Sequence, residues 1–132
     1  MRYNALLIDD QQALLKGLTV VVEATGIAQV VATATDGKLG LEQARRLQPD
    51  LILLDVSLGN ESGIDIARQL IADNPEHRIL ALSAHSDAIY VRGMLNAGAC
   101  GYLLKDNVHD EMHGAITAAM SDRQWIGDGL DI

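Results

Sequence analysis

The chain has 132 residues, a length that suits one domain with a real core. Its formal charge of −8 argues against a direct grip on nucleic acid or an anionic membrane, while excess carboxylate suits a site for a hard cation. There is no Phe, one Trp and three Tyr, so the core has to be aliphatic, and the lone Cys100 excludes an internal disulfide and a cysteine-rich zinc site.

The first apolar run, YNALLI (Tyr3–Ile8), ends in two adjacent acids, Asp9 and Asp10. Leu14, Leu18, Val21 and Val22 then recur at helical spacing, and Gly26 stops them. AQVVATA (Ala28–Ala34) follows, then a stripe of Leu41, Ala44 and Leu47 that halts at Pro49. LILL (Leu51–Leu54) runs straight into Asp55. Ala67, Leu70 and Ile71 form a third stripe before Pro75. RILALSA (Arg78–Ala84) contains Ser83, a fourth helix is predicted near Asp87–Ala97, and GYLL (Gly101–Leu104) leads to Lys105. Met112, Ala115, Ile116, Ala119 and Met120 make the clearest helical stripe.

Short aliphatic runs with little polar alternation suit strands covered on both faces. A βα unit repeated five times implies a doubly wound α/β fold, a parallel sheet with helices on both sides and right-handed connections. No apolar run reaches the ~18 residues of a membrane span, and nothing before Ala5 reads as a signal peptide. Cys100, in the small apolar stretch AGACGY, therefore reads as a buried thiol of a reducing cytoplasm. The sequon at Asn60 is taken as chance.

In such a sheet ligands bind beyond the carboxyl ends of the strands. The residues predicted there are Asp9 and Asp10, Asp55, Ser83 and Lys105. Three carboxylates in one cleft repel one another unless a cation is bound, and an all-oxygen donor set suits Mg²⁺. A carboxylate can also act as a nucleophile and become an aspartyl-phosphate; Lys105 would then pair with the phosphoryl oxygens and Ser83 would donate to one of them. Taken singly, each residue has a plainer role. Asp10 could cap the helix, Asp55 and Ser83 could be turn formers, and Lys105 could be a surface charge. Their joint placement at strand ends is what points to a site.

The segments LLIDDQ, LILLDVSL followed by SG, ILALSAHSD and AGACGYLLKD resemble the receiver domain of bacterial two-component response regulators. The resemblance runs from Tyr3 to about Ile126. Asp106 after the lysine, where Pro is commoner, is similar to the NarL/LuxR type. The resemblance implies a flavodoxin-like sheet with strand order 2-1-3-4-5. It implies that Asp55 is the phosphoacceptor, that Asp10, Asp55 and the Ser57 backbone carbonyl bind Mg²⁺, and that Asp9 acts through water. It makes Ser83 the switch hydroxyl and Tyr102 its partner aromatic, with Ser57 and His85 tuning phosphoryl lifetime. The donor would be a phosphohistidine on a sensor histidine kinase. One departure is Gly59, where the family usually has Pro; glycine is expected to loosen that loop.

Residues 1–126 are expected to form the receiver. The tail GDGLDI (Gly127–Ile132) reads as a frayed end or the start of a linker. NarL/LuxR-type relatives normally continue into a helix-turn-helix domain, so DNA contact is expected only through a domain these residues do not include. Extra apolar residues on the first helix, Leu15 and Val20 beside Leu14 and Leu18, allow either a wide core face or a homodimer contact there or at the fourth helix. The reading is a signalling switch rather than a turnover enzyme. The alternatives are a Mg²⁺-dependent phosphohydrolase with an aspartyl nucleophile, for which Ser57 stands where a general acid is wanted, and a flavin carrier, which scarce aromatics disfavour. HDEMH (His109–His113) is not a metalloprotease motif. Its Asp110 and Glu111 read as first-turn acids facing the helix dipole, and Trp125 as packing on the last helix.

Overall fold

The computed structural model describes residues 2–84 and 86–130. Five strands, β1 (Tyr3–Ile8), β2 (Ala28–Ala34), β3 (Leu51–Asp55), β6 (Ile79–Ser83) and β7 (Gly101–Leu104), lie where the aliphatic runs predict them. The helices between and after them are α1 (Gln12–Ala24), α2 (Gly37–Leu47), α3 (Gly63–Asp73), α4 (Ala88–Asn96) and α5 (Val108–Met120). Two short strands, β4 (Ser57–Leu58) and β5 (Glu61–Ser62), form a separate antiparallel hairpin, and β8 (Trp125–Ile126) adds a further parallel strand beside β7. Among the described residues the main sheet therefore runs β2-β1-β3-β6-β7-β8. Its first five positions are the expected flavodoxin-like order, and β8 is an addition the sequence did not suggest.

Alternation across the strands divides the core into two layers. Leu6, Ile8, Ile52, Leu54, Ile79, Ala81 and Tyr102 face α2, α3 and α4. Ala5, Leu7, Leu51, Leu53, Leu80, Leu82 and Leu103 face α1 and α5. Every residue of β3 and β6 is buried, as a central parallel strand requires. The buried stripe of α1 is Leu15, Leu18, Val21 and Val22; Leu14 is turned outward, one residue out of phase with the expected face, and Val20 is exposed. No helix among the described residues is long and apolar enough to cross a membrane.

Parallel register brings the strand ends to one rim. Ile8 stands opposite Leu54, Asp55 opposite Leu82, and Ser83 opposite Leu104. The residue after each end is thus delivered to the same mouth, whatever its distance in sequence.

Candidate functional site at the carboxyl rim of the sheet

Asp9 follows β1 directly and is 1% exposed; Asp55 ends β3 at 4% and Ser83 ends β6 at 1%. Lys105, just past β7, bends back between the two buried acids. Its Nζ donates to Asp55 Oδ2 at 2.8 Å and ion-pairs with Asp9 Oδ2 at 3.1 Å. The backbone holds the other carboxylate oxygens: Gln11 N donates to Asp9 Oδ1 at 2.9 Å and Ser57 N to Asp55 Oδ1 at 3.0 Å. Each N–H fixes a rotamer and leaves the second oxygen facing the cleft. Asp10 is exposed and makes no cap: the helix begins at Gln12 with Gln11 in the N-cap position and no side-chain cap bond. The plain helix-cap role is thereby removed.

Carboxylate oxygens of Asp9, Asp10 and Asp55 lie within 4.8 Å of one another. One ammonium does not balance three anions at that spacing. Asp9 Oδ2 is buried and, although 3.1 Å from Lys105 Nζ, completes no hydrogen bond. Burial pushes the Asp9 carboxyl above its ordinary value; the Gln11 N–H and Lys105 pull down, and the Asp55 charge adds to the rise. Burial also works against the Lys105 ammonium, but the Asp55 hydrogen bond and the charges of Asp55 and Asp9 outweigh it and hold its pKa above the usual lysine value. A cluster of hard oxygen donors with an unsatisfied buried oxygen fits a small divalent cation.

The hairpin shapes one wall. Its two-residue loop is Gly59–Asn60, and Gly59 has φ +63°. A positive φ at the first position of a two-residue hairpin turn favours glycine there. Glycine takes that backbone conformation without strain. A proline, fixed near φ −65°, could not take its place. A Cβ at Gly59 would stand 3.5 Å from Asp10 Oδ2, so the turn borders the acids. Gly63 was not singled out as a site residue. Its N–H donates to Val56 O at 2.7 Å, and any Cβ there would collide with the Asp55 carbonyl and Val56 Cα. It sets how closely α3 approaches the end of β3. The SG pair after Asp55 was its only trace in the sequence.

Tyr102 is fully buried beneath this rim. Burial raises its phenol pKa, and a hydrogen bond with Ser83 offsets part of that rise. The two expected switch residues thus touch. Ser57 lies at the cleft mouth with its side chain exposed. His85 lies outside the described residues. His109 and His113 are both exposed on α5 and belong to no metal cluster among the described residues. Cys100 is half-buried rather than buried, its Sγ donating to Ile79 O at 3.3 Å, and burial raises its pKa.

A doubly wound sheet with an acidic trio and a lysine on its carboxyl rim defines a class of α/β domain with a charged rim site, and comparison with known proteins narrows it. The family model for the response regulator receiver domain matches residues 5–117, and the chain belongs to that family. Among curated proteins it is 34% identical over 125 residues to the transcriptional regulatory protein DegU of Brevibacillus brevis, covering 95% of this chain and 53% of that one. It is 35% identical over 116 residues to the transcriptional regulatory protein LiaR of Bacillus subtilis, covering 88% and 55%. The chain thus spans about half the length of these relatives. A solved two-component response regulator of the LuxR family from Aurantimonas sp. superposes with TM-score 0.90 at 26% identity, covering 95% of this chain and 89% of that one. The expected NarL/LuxR kinship is borne out by these matches.

Proposed function

We propose that Asp55 accepts a phosphoryl group from a phosphohistidine of a sensor histidine kinase and that the resulting charge switches the domain's surface. An Asp55 oxygen forms the new P–O bond as the P–N bond breaks, and the electron pair returns to the donor imidazole. Lys105, already paired with Asp55, shifts its hydrogen bond to a phosphoryl oxygen, and Ser83 donates to another. Mg²⁺, held by Asp10, Asp55 and the Ser57 carbonyl with Asp9 through water, would neutralise the oxygens of the transferring group. Drawing Ser83 toward the phosphoryl group favours the inward position of Tyr102, and α4, β7 and α5 adjust with it. In a longer protein that surface would govern a DNA-binding output domain, directly or through a homodimer. Ser57 and His85 would set how fast water removes the group.

The observation that carries this reading is Lys105 Nζ at 2.8 Å from Asp55 and 3.1 Å from Asp9, inside a cluster of three carboxylates. The test is incubation with acetyl phosphate and Mg²⁺, followed by intact mass. A base-labile phosphoryl adduct that disappears in Asp55→Asn is expected. An adduct that survives Asp55→Asn places the acceptor elsewhere, and sustained turnover of phosphate esters would make the protein a phosphohydrolase instead.

A further inference from the structure

Residues 125–130 wrap around the open edge of the sheet. Trp125 and Ile126 pair in parallel with Gly101 and Tyr102, and Gly127 N donates to Tyr102 O at 3.0 Å. Glu111, buried on α5, clamps the segment from beneath. Its Oε1 accepts from Trp125 Nε1 at 2.9 Å and its Oε2 from Asp128 N at 3.1 Å. Asn107 Nδ2 donates to Asp128 O at 3.1 Å. Trp125 packs into the α1/α5 layer, whereas Leu130 packs against the opposite layer, the one that contains Tyr102. Gly129 lines a small cavity that shares Ser83, Ala84 and Lys105 with the Asp55 cleft. The segment therefore touches both faces of the sheet and the rim of the site.

We infer that residues 125–130 form a latch on the switch: closed over β7, they hold Tyr102 in its buried position, and so a closed latch and a phosphorylated Asp55 favour each other. The inference rests on the phosphoacceptor reading of Asp55. Without the latch, β7 would be an edge strand, and the edge is the route by which the Tyr102 ring could turn outward. Latch closure blocks that route with backbone bonded to Tyr102 itself and with Leu130 on the same layer. The proposed switch places Tyr102 inward once Ser83 has moved toward the phosphoryl group, so both events select one state. Coupling of this kind is reciprocal: the factor by which a phosphoryl mimic closes the latch equals the factor by which the closed latch tightens the mimic.

The test uses the whole chain with Mg²⁺ and beryllofluoride as the mimic. Amide exchange at Gly127 and Asp128 is expected to slow by about fivefold or more on binding. Leu130→Ala, a half-buried position away from the acids, is expected to weaken beryllofluoride by a similar factor. Glu111→Gln, which loses one of the two acceptors, should do the same if it folds, as judged by circular dichroism. Unchanged exchange in a chain that binds the mimic, faster exchange on binding, or undiminished affinity in Leu130→Ala overturns the latch while leaving Asp55 its role. No bound beryllofluoride in the wild-type chain overturns the phosphoacceptor reading and the latch with it.

Discussion

The two ends of the sheet make an instructive pair. At the amino end, a cavity of about 590 Å³ is lined by Glu76, His77, Arg78, Cys100, Asp122 and Arg123 among others; at the carboxyl rim the cleft beside Asp55 is smaller, about 260 Å³. Size alone would favour the amino end over the proposed site. At the amino end charges of both signs alternate, and Arg78 pairs with Asp122 at 3.0 Å on a largely exposed surface. At the rim two buried carboxylates, Asp9 and Asp55, share the Lys105 ammonium with Asp10 close by, and the Asp9 Oδ2 has no hydrogen-bond partner. Electrostatic frustration in a buried place, rather than open volume, distinguishes the end where the phosphoacceptor is proposed.

The contrast can be broken by removing the cation at each end. Lys105→Met leaves buried carboxylates facing one another and is expected to cost about 3 kcal/mol in metal-free buffer, read by urea denaturation, with most of the loss recovered in Mg²⁺. Arg78→Met, the matching change at the exposed pair, should cost less than about 1 kcal/mol. Equal costs would mean the rim charges are as well solvated as the others.

A second measure sharpens the same difference. Mg²⁺ at a hundredfold excess over its Kd should stabilise the fold by about 2.7 kcal/mol, reversed by EDTA, because only the folded chain gathers the three acids. A response undiminished by Asp10→Asn would move the cation away from the rim.

The smallest effect belongs to the amino end. Burial lowers the His77 pKa below its ordinary 6.5, with Asp73 pulling the other way. The unfolded chain then holds the proton more readily, so stability has its full value above pH 6.5 and declines as pH falls below it. His77→Gln should flatten that decline in denaturation midpoints taken between about pH 5 and 7. A slope that persists in the variant would have to come from another group.

Much of this molecule is written locally. Unalternating aliphatic runs such as LILL specify strands covered on both faces, and those runs end directly in Asp55, Ser83 and Lys105, so the site could be read from strand ends before any contact was known. Other features have no local signature. Two residues are too few to show a strand period, so β8 exists only because β7 offers an open edge. Glu111 looks like a helix-dipole acid until the segment that buries it is in place. Leu14 and Leu15 are both apolar, and only packing of α1 on the sheet decides which turns inward. Gly59 reads as slack until the hairpin assigns it a positive φ.

The physical reason is range. Hydrophobic period and turn chemistry depend on neighbours a few residues apart, so the sequence alone determined the alternation of five main strands with five helices and the list of rim residues. The Lys105–Asp55 bond joins residues 50 apart, and the charge balance, the unsatisfied Asp9 oxygen and the clamp at Glu111 arise only when parallel register brings distant ends together. Those were decided by the tertiary structure.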